Sequence, residues 1–248
     1  MARYFPVVPD AATMPTKAFQ LVQRAVPELV EMRWMGAVYG DTGLGKTFSV
    51  ETAINRITEV PVVWVQFPLG VKIKDVISDL LEAVTGVPHD DVLRRLGRAL
   101  RAVLASTPRL IVVDEAQHLN TETIEYLRYL WDAPETSFGI LFVGGNGCWE
   151  VLSREPMLRT RISRQVEFQR LTERQVLALA PKYHRIYAKS SREDILLIND
   201  RFGRGLFRKW GIFTNDAVGF CDELGRETVD TEIIQNVFAL HGGVHQKR

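Results

Sequence analysis

The chain has 248 residues, 46% of them hydrophobic and 25% charged, enough apolar material for a substantial core and a composition that excludes a disordered or low-complexity protein. With 31 Lys and Arg against 30 Asp and Glu the formal net charge is +1, so bulk charge selects no partner. Two cysteines far apart, Cys148 and Cys221, exclude a disulfide framework and a cysteine-rich metal centre, and read as reduced core thiols.

Residues 1–15 carry Pro6, Pro9 and Pro15 and read as an extended arm without the apolar run of a signal peptide. No later stretch approaches the roughly 20 apolar residues of a membrane span, so the expectation is a soluble cytoplasmic protein. Thr16 is positioned to cap a helix over residues 17–32, which Pro27 is expected to kink or divide. The apolar run 34–39 then reads as a buried strand, and residues 48–57 have helical apolar spacing.

Between that strand and that helix stands Gly40-Asp41-Thr42-Gly43-Leu44-Gly45-Lys46-Thr47, which fits the phosphate-binding P-loop pattern. Glycines let backbone N–H groups turn inward around phosphates, and the following helix N-terminus, opening at Phe48, adds partial positive charge. In this pattern Lys46 reaches the β- and γ-phosphates and the Thr47 hydroxyl holds Mg²⁺, so the cofactors expected are ATP and Mg²⁺.

Residues 60–67 read as a second strand with Pro61 at its start. Ile73, Val76, Ile77, Leu80, Leu81 and Val84 form a helical stripe that Gly86-Val87-Pro88 breaks. Another helix follows through Leu93, Leu96, Leu100 and Leu104. Its opposite face carries Arg94, Arg95, Arg98 and Arg101, either as a solvated face or as a partner surface. Next, Leu110-Ile111-Val112-Val113-Asp114-Glu115 forms a Walker B segment, a strand buried on both faces that delivers two acids at its end. Asp114 is suited to Mg²⁺, and Glu115 to orienting or deprotonating an attacking water. A helix over 121–131 and a buried strand over 138–143 lead to Gly144-Gly145-Asn146, where Asn146 is either a γ-phosphate sensor or a simple Asn turn.

Arg154, Arg159, Arg161 and Arg164 crowd the approach to a short strand over 165–168. One of them can act as an arginine finger in a neighbouring subunit, with Arg159 and Arg161 preferred; the alternative for each is an internal salt bridge. Residues 151–212 hold 14 Lys or Arg against 6 Asp or Glu, a local excess that suits a polyanion surface. From Thr172 the pattern is helical (172–187, 191–202, 205–223 and 230–240), with a capping-box fit at Thr172 and Gln175 and a start near Thr228 or Thr231. Arg204 or Arg208 in this part can touch the γ-phosphate. The division expected is an α/β nucleotide-binding core with its N-terminal arm over 1–170, a small helical lid over 171–241 and a mobile tail over 242–248.

P-loop, Asp-Glu segment, polar strand tip, arginine cluster and helical lid, in that order, resemble the AAA+ ATPases, an α/β P-loop fold with a parallel sheet flanked by helices. Within that class GDTGLGKT, LIVVDEAQHL, the GGN tip and MLRTRISRQVEF resemble the DNA-transposition regulators, the group of the phage Mu B protein, TniB and TnsC. The resemblance implies an ATP hydrolase with ATP held between subunits. It implies a homo-oligomer, ring or helical filament, on non-specific double-stranded DNA that recruits or stimulates a transposase, in a bacterial cell or a phage-infected host. It directs attention to Lys72 and Lys74 as first DNA contacts and to Arg94, Arg95 and Arg98 as second ones. The Mu-type member has an extra N-terminal DNA-binding domain for which the residues ahead of the P-loop leave no room, so DNA contact is expected from the ATPase domain itself. A helicase loader shares the motifs, and a nucleotide-gated assembly ATPase like those of secretion systems shares them without touching DNA. Salt-dependent binding to random duplex separates the latter from the others.

Overall fold

The computed structural model describes residues 8–243, which fall into two compact units. The α/β unit comprises Lys17–Thr42 and Lys46–Phe168. Its strands are β1 (Met35–Gly40), β2 (Val62–Gln66), β3 (Arg109–Asp114), β4 (Phe138–Gly144) and β5 (Ile162–Phe168), ordered β2-β3-β4-β1-β5 with every neighbouring pair parallel. Parallel strands require crossovers. Helix α1 (Lys17–Met32) precedes β1, and the crossovers contain α2 (Lys46–Ile54), α3 (Ile73–Thr85), α4 (Leu93–Ser106), α5 (Thr121–Asp132), α6 (Cys148–Ser153) and α7 (Pro156–Arg159).

The apolar runs of β3 and β4 are buried because the sheet is covered on both faces; β4 is buried at all seven positions. Alternate strand residues Val63, Val65, Ile111, Val113, Ile140 and Phe142 share one cluster with Leu80, Leu81, Leu100, Leu104, Leu127 and Leu130 from the helices. Truncating one such leucine to alanine costs about 2–5 kcal/mol. Helix α1 runs unbroken through Pro27, which lies on its exposed side, where water can satisfy the carbonyl freed by the missing N–H.

Strand order positions the site. β4 lies between β1, which leads into the P-loop, and β3, which carries the two acids; Val143 pairs with Val38 and Phe142 with Val113. The three C-terminal ends are therefore adjacent, at the edge where open parallel sheets bind ligands. Strand β5 begins three residues earlier than its apolar content indicates, because at the sheet's edge its Ile162–Arg164 portion is only partly covered.

The helical unit gathers the described residues up to Thr16, the loop tip Gly43–Gly45 and the chain from Gln169 on. It contains α8 (Glu173–Tyr183), α9 (Arg192–Ile198), α10 (Phe207–Glu223) and α11 (Thr231–Leu240) around Tyr187, Trp210, Phe213, Ile233 and Ile234. The capping box at Thr172 and Gln175 is present, while α11 is capped by Asp230 rather than by Thr228 or Thr231. The arm, assigned to the core by the 1–170 boundary, groups with the helices. Ala12 N–H donates to the Tyr183 carbonyl at 2.8 Å, and the His184 ring nitrogen Nε2 lies 2.9 Å from the Pro9 carbonyl. The arm's first seven residues and the tail residues 244–248, expected to be mobile, lie outside the described residues. Among the described residues no helix is long and apolar enough to cross a membrane.

Candidate nucleotide site

The P-loop turns through three glycines with positive φ: Gly40 (134°), Gly43 (86°) and Gly45 (84°). Gly40 is required twice over, since a Cβ there would stand 2.1 Å from the Phe168 carbonyl oxygen. Lys46, at the start of α2, is 9% exposed, and its Nζ donates to the carbonyls of Gly40 and Asp41 at 2.8 Å each. Burial pushes the Lys46 ammonium below its usual pKa, and the nearby Glu115 and Asp114 carboxylates oppose that shift. Thr47 is half-buried beside it; Phe48 is exposed and stacks on Phe19 of α1 with ring centroids 6.3 Å apart.

Asp114 ends β3. Burial raises its carboxyl pKa, against hydrogen bonds from the Glu115 N–H, at 2.9 Å, and the Trp64 side chain. Glu115 follows in the left-handed conformation, φ 51°, uncommon for a residue with a side chain and typical of functional turns. Its carboxylate accepts a short hydrogen bond from the side-chain amide of Gln117. The Gln117 carbonyl oxygen in turn accepts from the Gly145 N–H, 2.8 Å away, at the tip of β4. Asn146, the next residue, is exposed, and its side chain pairs with no other described residue. Gln117 escaped the sequence reading. Its only signal was a polar residue two positions after the Walker B glutamate, and its second partner is 28 residues away.

The arginines separate. Arg159 ends α7, is exposed, and makes no ion pair or side-chain hydrogen bond among the described residues. Arg161 is engaged: its Nε donates to Asp132 at 2.7 Å and its Nη1 to the Met157 carbonyl at 2.8 Å. Arg164 pairs with Glu28 and lies over the Trp34 ring, 4.5 Å from the centroid.

In the helical unit, Arg204 is exposed in the left-handed region and ends a π-helical turn. Arg208 instead donates its backbone N–H to the Gly43 carbonyl at 3.0 Å, and its side-chain Nε is buried without a partner among the described residues.

The basic residues proposed for DNA converge more than their spacing suggests. The α3–α4 connection doubles back along α3. Ser78 Oγ donates to the His89 carbonyl at 2.6 Å, and Lys74 pairs with Asp90 at 2.9 Å. The first turn of α4, with Arg94 and Arg95, is thus returned to the end of α3 that carries Lys72 and Lys74. Lys72 is exposed and unpaired among the described residues, Arg95 pairs loosely with Asp91 at 3.5 Å, and Arg98 is exposed one turn on. Asp90 and Asp91 offset part of this positive charge.

Three adjacent strand ends bearing a glycine loop with a buried lysine, an Asp-Glu pair and a polar tip define a P-loop nucleotide-binding domain of the AAA+ class. The family model described as AAA domain matches residues 31–152. Over 143 residues the chain is 32% identical to the ATP-dependent target DNA activator B of Escherichia phage Mu, and equally to that of Escherichia phage D108. The match takes in 56% of this chain and 42% of each relative, so less than half the length of those relatives is spanned. Cdc6p from Pyrobaculum aerophilum has the same fold, with a TM-score of 0.72 at 16% identity over 97% of this chain and 69% of that one. Residues 31–152 thus resemble the AAA domain family, and the resemblance to the transposition group drawn from the motifs is repeated in the likeness to the two phage activators.

The donor set fits a magnesium nucleotide. A buried cation sits on the P-loop carbonyls within reach of the Asp114 and Glu115 charges, Thr47 follows it in α2, and the glycine backbone leaves no room for a side chain at Gly40.

Proposed function

We propose that this chain is an ATP-dependent, DNA-binding regulator of DNA transposition, which assembles as a homo-oligomer on duplex DNA and recruits or stimulates a transposase. The observation that carries the reading is the adjacency of Lys46, Asp114, Glu115 and the Asn146 tip at the ends of β1, β3 and β4, in a chain 32% identical to target DNA activators.

Bound ATP with Mg²⁺ supplies the phosphoryl group and a charge that offsets its oxygens. Backbone N–H groups of residues 40–48 and the Lys46 ammonium bind phosphate, while Thr47 and Asp114 hold the metal. Glu115 takes the proton of the attacking water. Asn146 contacts the γ-phosphate, and Arg208, rather than Arg204, is the better supported of the two lid arginines because its Nε lacks a partner among the described residues. Arg159, from a neighbouring subunit, is the finger. Lys72, with Lys74, Arg94, Arg95 and Arg98, meets the DNA backbone.

The test has two arms. Lys46→Ala removes the cation that binds phosphate and abolishes nucleotide binding. Glu115→Gln keeps the shape without the base, so it binds ATP and slows hydrolysis by about 10²-fold or more. In the second arm, wild-type protein binds random duplex DNA when ATP is present, with affinity falling steeply as salt rises. ATP hydrolysis without any ATP-dependent DNA binding would leave the enzyme and remove the transposition reading.

A further inference from the structure

The Gln117 side chain spans two parts of the site that the chain separates by 28 residues. Its amide NH₂ donates to the Glu115 carboxylate, and its carbonyl oxygen accepts the Gly145 N–H at 2.8 Å. A carboxylate only accepts and a backbone N–H only donates, so these two partners fix the orientation of the amide. The surroundings are shaped to this side chain. A Cβ on Gly144 would lie 2.7 Å from Gln117 Oε1 and 2.5 Å from Cys148 Sγ, and one on Gly145 would touch Gln117 Nε2 at 3.5 Å. Gly144 thus leaves space that Gln117 fills, whereas a Cβ on Gly145 would make only an ordinary contact with it. At the other end Glu115 is held in the left-handed region, φ 51°, a costly conformation for a residue with a side chain that persists only where its surroundings fix it.

We infer that Gln117 is a positioning residue that ties the Glu115 carboxylate to the β4 tip, so that the placement of Gly145 and Asn146 sets the placement of the base. This rests on the reading of Glu115 as general base and adds the element that aims it. A free glutamate side chain has three rotatable bonds whose freedom is lost when the carboxylate is fixed. Gln117 fixes it before substrate arrives, from a tip that belongs to a fully buried strand. A contact made by Asn146 is one residue from the Gly145 N–H, and hence one amide group from the base.

The experiment compares Gln117→Ala, which removes both bonds, with Gln117→Glu, which is isosteric. The latter retains an acceptor for Gly145 but sets like charge against Glu115. Each is measured alone and on the Glu115→Gln background, by ATP affinity, single-turnover hydrolysis and hydrogen exchange of the Gly145 amide. The expected result is unchanged ATP affinity with kcat lowered about tenfold to hundredfold in both single variants, inside the 10²–10⁴-fold that a positioned base contributes. Gly145 exchanges faster in Gln117→Ala and remains protected in Gln117→Glu. On the Glu115→Gln background Gln117→Ala causes no further loss, because residues acting as a unit are not additive. Wild-type kcat in Gln117→Ala, with Gly145 exchange accelerated, would make the bridge purely structural and overturn the inference while leaving Glu115 as base. So would a Gln117→Ala loss that is fully additive with Glu115→Gln. A wild-type chain that does not hydrolyse ATP fails differently, since it removes the base itself.

Discussion

The Arg161 guanidinium is held by Asp132: Nε lies 2.7 Å from the carboxylate oxygen, and Nη1 closes the arrangement on the Met157 carbonyl at 2.8 Å. Asp132 ends α5 and also pairs with Arg128, so this contact joins α5 to the turn that precedes β5. Both Arg161 and Asp132 are about one-quarter exposed, which places the pair above the usual surface bridge in value but well below a buried one.

Arg161 is therefore expected to act on stability. Arg161→Ala should cost about 1 kcal/mol and lower Tm by about 2–4 °C in a chain of this size. Asp132→Asn should do the same, and hydrolysis per folded molecule should stay within about twofold. Thermal melts with a paired ATPase assay check this; an inactive Arg161→Ala with unchanged Tm would return Arg161 to the site.

Asp114 should show a conflict between stability and function. Burial raises its folded-state pKa above the unfolded value, so the folded protein holds this proton more tightly. The contribution to stability is fully present below the unfolded pKa and is lost as pH rises through the folded one, so at neutral pH the ionised group opposes folding. Asp114→Asn keeps the shape without the charge. Its expected outcome is a higher Tm than wild type at pH 7, a difference that closes as pH falls below about 4, and loss of Mg²⁺-dependent hydrolysis. Equal melting temperatures at pH 7 would mean that the carboxylate is solvated after all.

Lys72 and Lys74 stand two positions apart but differ in freedom. Lys74 is held by Asp90, which raises its pKa through a hydrogen bond and through charge, whereas Lys72 pairs with no described residue. A phosphate contact shows as about one unit of slope in log K against log salt. Lys72→Ala should flatten the slope by about one unit and weaken binding equally on all sequences; Lys74→Ala should change it less. Asp90→Asn releases Lys74 and should steepen the dependence. Titrations of a random duplex at several salt concentrations measure all three, and a normal slope in Lys72→Ala transfers the surface to Arg94, Arg95 and Arg98.

What was legible in the sequence was local. The P-loop and the Asp114-Glu115 strand end each put their chemistry in consecutive residues, and the unbroken apolar runs of β3 and β4 announce a parallel sheet. What was not legible depends on which distant residue comes alongside. Arg159 and Arg161 look alike in sequence and are separated only by Asp132, 29 residues upstream of Arg161. Gln117 gains its meaning from Gly145, which strand order brings beside it. Lys72 and Arg94 approach each other only because the α3–α4 connection runs backwards. The start of β5 was missed because an edge position lets Ser163 and Arg164 stay polar within a strand.

Arg159 carries the last prediction, which concerns assembly. It ends α7 with an exposed side chain that is unpaired among the described residues, whereas Arg161 and Arg164 are committed to carboxylates within their own chain. A finger must be free to reach another molecule, and its planar fork can span two phosphate oxygens where lysine offers a single point of charge. Arg159→Ala should fold and bind ATP normally yet lose about 10³-fold or more in hydrolysis, and Arg159→Lys should recover only a small part. Acting in trans has a further consequence. Subunits carrying Lys46→Ala have dead sites but intact Arg159, while Arg159→Ala subunits have intact sites and no finger. Mixing the two inactive proteins, with Lys46→Ala in excess, should restore ATPase activity in proportion to the mixed interfaces formed. Sedimentation of the same mixtures with nucleotide and duplex DNA reports whether the subunits join. Mixed assemblies that form and remain inactive would remove Arg159 from the role, since the interface that joins the intact site of an Arg159→Ala subunit to the Arg159 of a Lys46→Ala subunit would then be complete and still idle.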